Sequence, residues 1–138
     1  MLTDLYGRVF NMARHPVVTD DAPGAIGAYS QAIKCGPTVY LSGQIPLDPK
    51  TMEVVSDDPR RQVEQVFKNL QALCAASGGG FADVVKLNVY LTDLAHFPLV
   101  NEVMEASFDE PYPARAAVEV SALPKGVSVE VEGIMHIE

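Results

Sequence analysis

The chain is poor in positive charge. Ten lysines and arginines stand against eighteen aspartates and glutamates, for a net charge of −8. A nucleic-acid-binding surface needs a basic face to neutralise phosphates, so this balance argues against nucleic acid as a partner. It disfavours anionic membrane surfaces as well. No apolar run is long enough to span a bilayer, and no secretory core segment is present, so no membrane is expected. There are only two cysteines, Cys35 and Cys74, with neither metal-type spacing nor a disulfide framework. They read as free thiols, Cys74 as a small hydrophobe on a helix, and the compartment as reducing cytosol. The three histidines, His15, His96 and His136, are scattered, with no two at ligand spacing, so no metal is expected. The chain lacks a Walker motif and a strand-linked Gly-x-Gly-x-x-Gly, which argues against a nucleotide fold. No cofactor is called for.

What is present is an apolar, globular composition. With 138 residues, 48% of them hydrophobic, the chain can bury roughly two-thirds of its unfolded surface as one domain. Residues 1–14 show no clear period and read as an extension, leaving 15–138 as the single domain. Pro23, Gly24 and Gly27 then mark a loop. Thr38 to Ser42 is a short β-rich run leading into Ser42-Gly43-Gln44-Ile45-Pro46. Asp48 to Thr51 reads as a turn, with Met52 to Val55 as a short returning strand.

The helices are clear in the pattern. Asp58 is a good N-cap and Pro59 suits the first helical position. Val63, Val66, Phe67, Leu70, Leu73 and Cys74 make one apolar stripe, and Gly78-Gly79-Gly80 ends the helix. A second helix is expected from about Phe97 or Pro98 to Phe108, with Val100, Val103, Met104 and Ser107 near one line and Asn101 in its first turn. Between them, Asp83 to Asp93 alternates, which predicts a strand with Val85, Leu87, Val89 and Leu91 on its apolar side.

The chain is organised around the stretch from Pro113 to Glu132. That stretch reads as two strands around a turn at Pro124-Lys125-Gly126. Ala116, Val118 and Val120 share one side of the first strand, and Arg115, Ala117 and Glu119 the other. Val127, Val129 and Val131 oppose Ser128, Glu130 and Glu132 in the second. Each strand thus has an apolar side to bury and a charged one. An arginine and a glutamate presented from rigid strands suit a small carboxylate, although a wetted sheet face would give the same alternation. A tight hairpin would set Glu119 opposite Glu130, a like-charge pair. Placing the 84–92 strand between them, with Lys86 and Asn88 separating the carboxylates, removes the conflict.

Pro113-Ala114-Arg115, the alternating strand, Leu123-Pro124 and the Glu-rich closing strand resemble the signature of the RidA (YjgF) family. Two further blocks, Ile26-Gly27-Ala28-Tyr29 and Ser42-Gly43-Gln44-Ile45-Pro46, resemble that family in the same order, and the resemblance covers about residues 15–137. Val131 and Ala28 depart from it, where the family usually has Ile or Met and proline, and Ala117 stands where the family archetype has cysteine. The order of elements predicts α+β architecture. The resemblance sharpens this to a chorismate-mutase-like fold, a mixed β-sheet with two helices packed on one face. The other sheet face would then be partly apolar, through Tyr90, Ala117, Ile134 and others, and would be covered by oligomerisation. The resemblance implies a homotrimer with sites in the clefts between subunits.

The activity implied is cofactor-free hydrolysis of reactive 2-imino acids, or their enamine tautomers, to 2-oxo acids and ammonia. Arg115 would bind the substrate carboxylate bidentately. Glu130 would orient a water and take its proton. Tyr29, Ser42, Gly43, Asn101 and the backbone at Ala117 would complete the substrate contacts. Alternatives are a sister deaminase acting on a larger aminoacrylate or aminomuconate-type substrate, and a non-catalytic trimer that binds 2-oxo acids. The second would need Arg115 but not Glu130. A ribonuclease role is disfavoured by the net charge.

Overall fold

The computed structural model describes residues 13–138, Leu5, and the backbone of Leu2, Thr3, Val9 and Phe10. The expectation for residues 1–14 therefore lies largely outside the described residues. Within that stretch Leu2–Thr3 (β1) pairs antiparallel with Val9–Phe10 (β2).

Six further strands form one mixed sheet. They are β3 (His15–Val17), β4 (Ala32–Cys35), β5 (Thr38–Gln44), β6 (Val84–Leu91), β7 (Ala114–Glu119) and β8 (Val129–His136). Their order across the sheet is β3-β4-β5-β8-β6-β7. Every neighbouring pair is antiparallel except β6 and β7. A parallel pair needs a long crossover, and the helix between them, α2 (Phe97–Ser107), supplies it. As the charge argument required, β6 separates β7 from β8, so Glu119 and Glu130 are not paired.

The first helix, α1 (Pro59–Ala76), begins where expected. The Asp58 side chain accepts from the Arg61 N–H, satisfying a donor that the helix itself cannot. Beyond its end, Gly78 takes φ +94°, a left-handed conformation glycine adopts without strain. The apolar stripe of α1 is buried together with Val100 of α2 against Leu41, Leu87, Val89, Leu91, Val129 and Val131 of the sheet. Phe67, Phe81 and Phe108 close one end of this core, with the rings of Phe81 and Phe108 stacked at 4.2 Å. Burying such side chains stabilises by roughly 1.5–3 kcal/mol each.

Several expectations are corrected. The strongest concerns β7. Arg115 and Ala117 lie in register with the buried Leu87 and Val89, so they face the helices, and Ala117 packs against the core. The apolar members, Ala116 and Val118, look out from the other face, where Val118 is 47% exposed. Ala117 therefore belongs to the helix side and not to the open face, which Tyr90 and Ile134 do line. On β6, a register shift between Val84 and Lys86 turns Val85 outward, and Val84 takes its place in the core. The residues beside the carboxylates of β8 are Tyr90 and Asn88, not Lys86 and Asn88. Met52 to Val55 contributes a single bridge, Leu47 to Val54, and no strand. Asn101 sits in the second turn of α2, and Ser107 is exposed. The strands β3 and β4 were not anticipated.

Candidate functional site

The residues named from sequence divide into two groups, one on each face of the sheet. The first gathers at the β7 edge. Parallel pairing with β6 directs Arg115 toward α2, where its Nη1 donates to Asn101 Oδ1 at 2.7 Å and approaches Met104 Sδ at 3.4 Å. Its guanidinium lies 4.7 Å from the centre of the Phe97 ring, a distance at which the ring face attracts a cation. Three residues of one helix thus fix the plane of the guanidinium. Nη2 and Nε find no acceptor among the described residues, and together they form the side-on fork that matches a carboxylate. A cleft of about 270 Å³ opens in front of it, lined by Asn101, Met104, Glu105, Tyr112, Pro113 and Arg115.

Ala117 continues this edge. The Val120 N–H donates inward to the Leu91 carbonyl at 2.8 Å. Backbone polar groups alternate sides along a strand, so those of Arg115 and Ala117 point outward, where β7 has no neighbouring strand.

The second group lies on the open face. Glu130 of β8, Ser42 and Gly43 of β5, and Tyr29 of the preceding loop line a cleft of about 400 Å³ with Ile26, Ile45 and Pro124. Gly43 makes room for the carboxylate. A Cβ at that position would sit 2.8 Å from Glu130 Oε2, closer than such atoms approach. Ser42 turns its hydroxyl to the Ser30 carbonyl, tying β5 to the Tyr29 loop. Tyr29 is half exposed, and its hydroxyl accepts from the Ile26 N–H at 3.4 Å.

Electrostatics distinguish the halves. Burial, and then the charge of Glu132, hold the Glu130 carboxyl above its ordinary value. Tyr90, beside it on β6, is pushed up to about 12, chiefly because its hydroxyl donates to Glu132. Cys74 is pushed up to about 12 by burial, which leaves an inert thiol. No group of histidines, cysteines and carboxylates among the described residues could hold a metal ion.

Within one chain the two halves do not meet. Arg115 shares a sheet row with Leu87 and Gly133 on the helix face; Glu130 shares one with Tyr90 and Val118 on the open face. Two strand spacings sideways and three residues along place their Cα atoms roughly 14 Å apart, with side chains on opposite faces.

Three buried amides hold the second half in place and were not foreseen. Gln31 donates to the Thr19, Ala22 and Pro23 carbonyls and accepts from the Thr19 N–H, which folds the loop before Tyr29. Asn69 donates to the Ile45 and Leu47 carbonyls just beyond Gly43. Gln62 accepts from the Ser128 N–H at 2.7 Å, two residues before Glu130. The signal was available for two of them. Gln62 and Asn69 fall on the apolar stripe of α1, where an uncharged amide must find partners.

Comparison with known proteins adds an independent line. Residues 19–137 match the family described as Endoribonuclease L-PSP. A RutC family protein of Sinorhizobium fredii is 50% identical over 122 residues, covering 88% of this chain and 97% of that protein. A human protein named 2-iminobutanoate/2-iminopropanoate deaminase is 42% identical, over 90% of both chains. The crystal structure of RidA from an Antarctic Psychrobacter bacterium superposes with a TM-score of 0.86 at 56% identity, covering 89% of this chain and 99% of that one.

Proposed function

The chain belongs to the Endoribonuclease L-PSP (RidA) family, and from that premise we propose that it hydrolyses 2-imino acids and their enamine tautomers. Water adds to the C=N carbon, the C–N bond breaks, and the products are a 2-oxo acid and ammonia. The similarity to a protein named for this activity supports the reaction class. Arg115 takes the substrate carboxylate on its Nη2 and Nε edge, with Asn101 holding the guanidinium and the outward backbone of Ala117 alongside. Glu130 accepts a proton from the attacking water. Its raised proton affinity suits a general base, because a base that holds its proton more tightly removes it more effectively. Ser42, Gly43 and Tyr29 shape the cleft around it.

One observation carries the assembly reading: the carboxylate fork and the base lie on opposite faces, too far apart for one small acid to touch both. We infer that the site is completed between copies, with the Arg115 edge of one chain meeting the Glu130 cleft of the next in a closed homotrimer. The open face supports this. Tyr40 and Val118 are about half exposed there beside Ile134 and Tyr90, and a lone chain would leave that apolar surface wet. Residues 15–138 would be the single domain of each protomer and 1–14 an extension. No helix among the described residues is long and apolar enough to cross a membrane. Both cysteines are free thiols, as a reducing compartment leaves them, and on that ground we assign the protein to the cytoplasm.

The test is complementation between copies. Arg115→Ala and Glu130→Gln should each be inactive in releasing 2-oxo acid from 2-iminopropanoate made in situ. Unfolded, mixed in equal amounts and refolded together, they should recover about a quarter of wild-type turnover, since random assembly pairs an intact edge with an intact cleft at that frequency. No recovery from soluble mixed oligomers would place the site within one chain. Wild-type turnover no faster than spontaneous hydrolysis would remove the enzymatic reading.

A further inference from the structure

Glu130 shares its face with a second carboxylate that the reaction above leaves unused. Glu132 stands two residues along β8, so its side chain leaves the strand on the same side. Its Oε1 accepts from the Tyr90 hydroxyl at 2.5 Å and from the Asn88 amide at 3.3 Å. Both donors come from β6, where the register sets Tyr90 beside Glu130 and Asn88 beside Glu132. Two donors on one oxygen suit a carboxylate, which accepts and cannot donate when ionised.

Such an arrangement has a cost. Two like charges on one half-buried strand face repel one another, and a neutral residue at either position would relieve the repulsion. A pair of donors on β6 instead holds the second charge where it is. We propose that Glu132, clamped by Tyr90 and Asn88, is a positioning residue whose fixed negative charge strengthens Glu130 as the base. This rests on Glu130 being the proton acceptor.

The other groups around Glu130 leave this role to Glu132. Gly43 and Ser42 of β5 carry no charge, and Tyr29 of the loop presents a phenol. Lys125 belongs to the turn whose Pro124 lines the cleft, but its Nζ is engaged by the Met52 carbonyl. Lys86 of β6 lies in register with Ile134, four residues along β8 from Glu130. After burial, the charge of Glu132 is what raises the Glu130 carboxyl, and the bond to Glu132 keeps Tyr90 a protonated donor up to about pH 12.

The experiment is the pH dependence of kcat/KM for the full chain, with 2-iminopropanoate, for wild type, Glu132→Gln and Tyr90→Phe. In Glu132→Gln the acid limb should move down by about 0.5 to 1 pH unit, the effect of one charge at this separation in a partly wet site. The plateau should fall roughly threefold as the base weakens. Tyr90→Phe, which frees Glu132 without removing it, should move the limb the same way by less. A 13C titration of the Glu130 side-chain carboxyl in the same proteins reads its proton affinity without turnover, and Tyr90→Phe carries the test if Glu132→Gln does not fold. A merely structural role would lower the rate without moving limb or titration. An unmoved limb and titration, with Glu130→Gln inactive, overturns this inference alone. Full turnover in Glu130→Gln removes Glu130 as the base, and this role of Glu132 with it.

Discussion

The Arg115 edge and the Glu130 cleft are built in different ways. Arg115 is held by Asn101, Met104 and Phe97, all within eighteen positions of it on the adjoining helix. One strand–helix unit makes that half. Glu130 is held by distant segments. Its carboxylate lies against Gly43 of β5, its strand is anchored by Gln62 of α1, and the rim comes from the loop that Gln31 ties down. A local half keeps its geometry wherever the helix and strand pack. A non-local half depends on the whole sheet being in register. The half proposed to bind the carboxylate is therefore the robust one, and the half proposed to move protons is the one that small changes in backbone should disturb.

The sharpest way to break this comparison is to remove one function from each half. Arg115→Lys keeps the charge but loses the fork, so 2-oxo acid binding and turnover should both collapse, with kcat/KM down about 10²-fold or more. Glu130→Gln keeps the shape of the cleft, so calorimetric titration with a 2-oxo acid should show near-normal binding. Its turnover should fall roughly 10²- to 10⁴-fold. Equal loss of binding in both variants would erase the division of labour.

Gly43→Ala probes the non-local half alone. The added Cβ forces the Glu130 carboxylate aside, but the group displaced is the far end of a flexible side chain. Thermal stability should hardly change, while kcat should fall about 10-fold through misplacement of the base. Undiminished kcat would show that the close packing of Glu130 on β5 has no catalytic consequence.

Asn101→Ala probes the local half. Phe97 and Met104 still hold the guanidinium, so the loss should be milder, about fivefold, and should appear in KM more than in kcat. A larger fall in kcat would mean that Asn101 touches the reacting atoms. Smallest of all should be the double variant Cys35→Ala, Cys74→Ala. Both thiols lie outside either half and are unpaired, so turnover per folded molecule should be unchanged, and its loss would bring a thiol into the reaction.

The alternation of β7 and that of β8 look equally clear in sequence, yet only β8 turns its apolar side to the core. In β8 the valines go to the core and the carboxylates to the open side. In β7 the same rule points the apolar residues outward and Arg115 inward. A period of two says which residues share a side; it does not say which side meets the helices. For a central strand such as β8, burial on one face decides. For an edge strand with an arginine that a helix can satisfy through Asn101 and Phe97, it does not. The register shift that exposes Val85 is invisible for a related reason, since a bulge answers to the partner strand.

By itself the sequence determined the two helices, with the cap and apolar stripe of the first, the alternating strands, and the family to which the chain belongs. These are properties of neighbouring residues, set by local hydrogen bonding and the period of apolar side chains. Only the tertiary structure decided the register shift at the start of β6, the facing of Arg115 toward α2, the closeness of Gly43 to Glu130, and the separation of the two halves on opposite faces. Those depend on which strands pair and in what register, and pairing is settled by contacts between segments that no single stretch of chain contains.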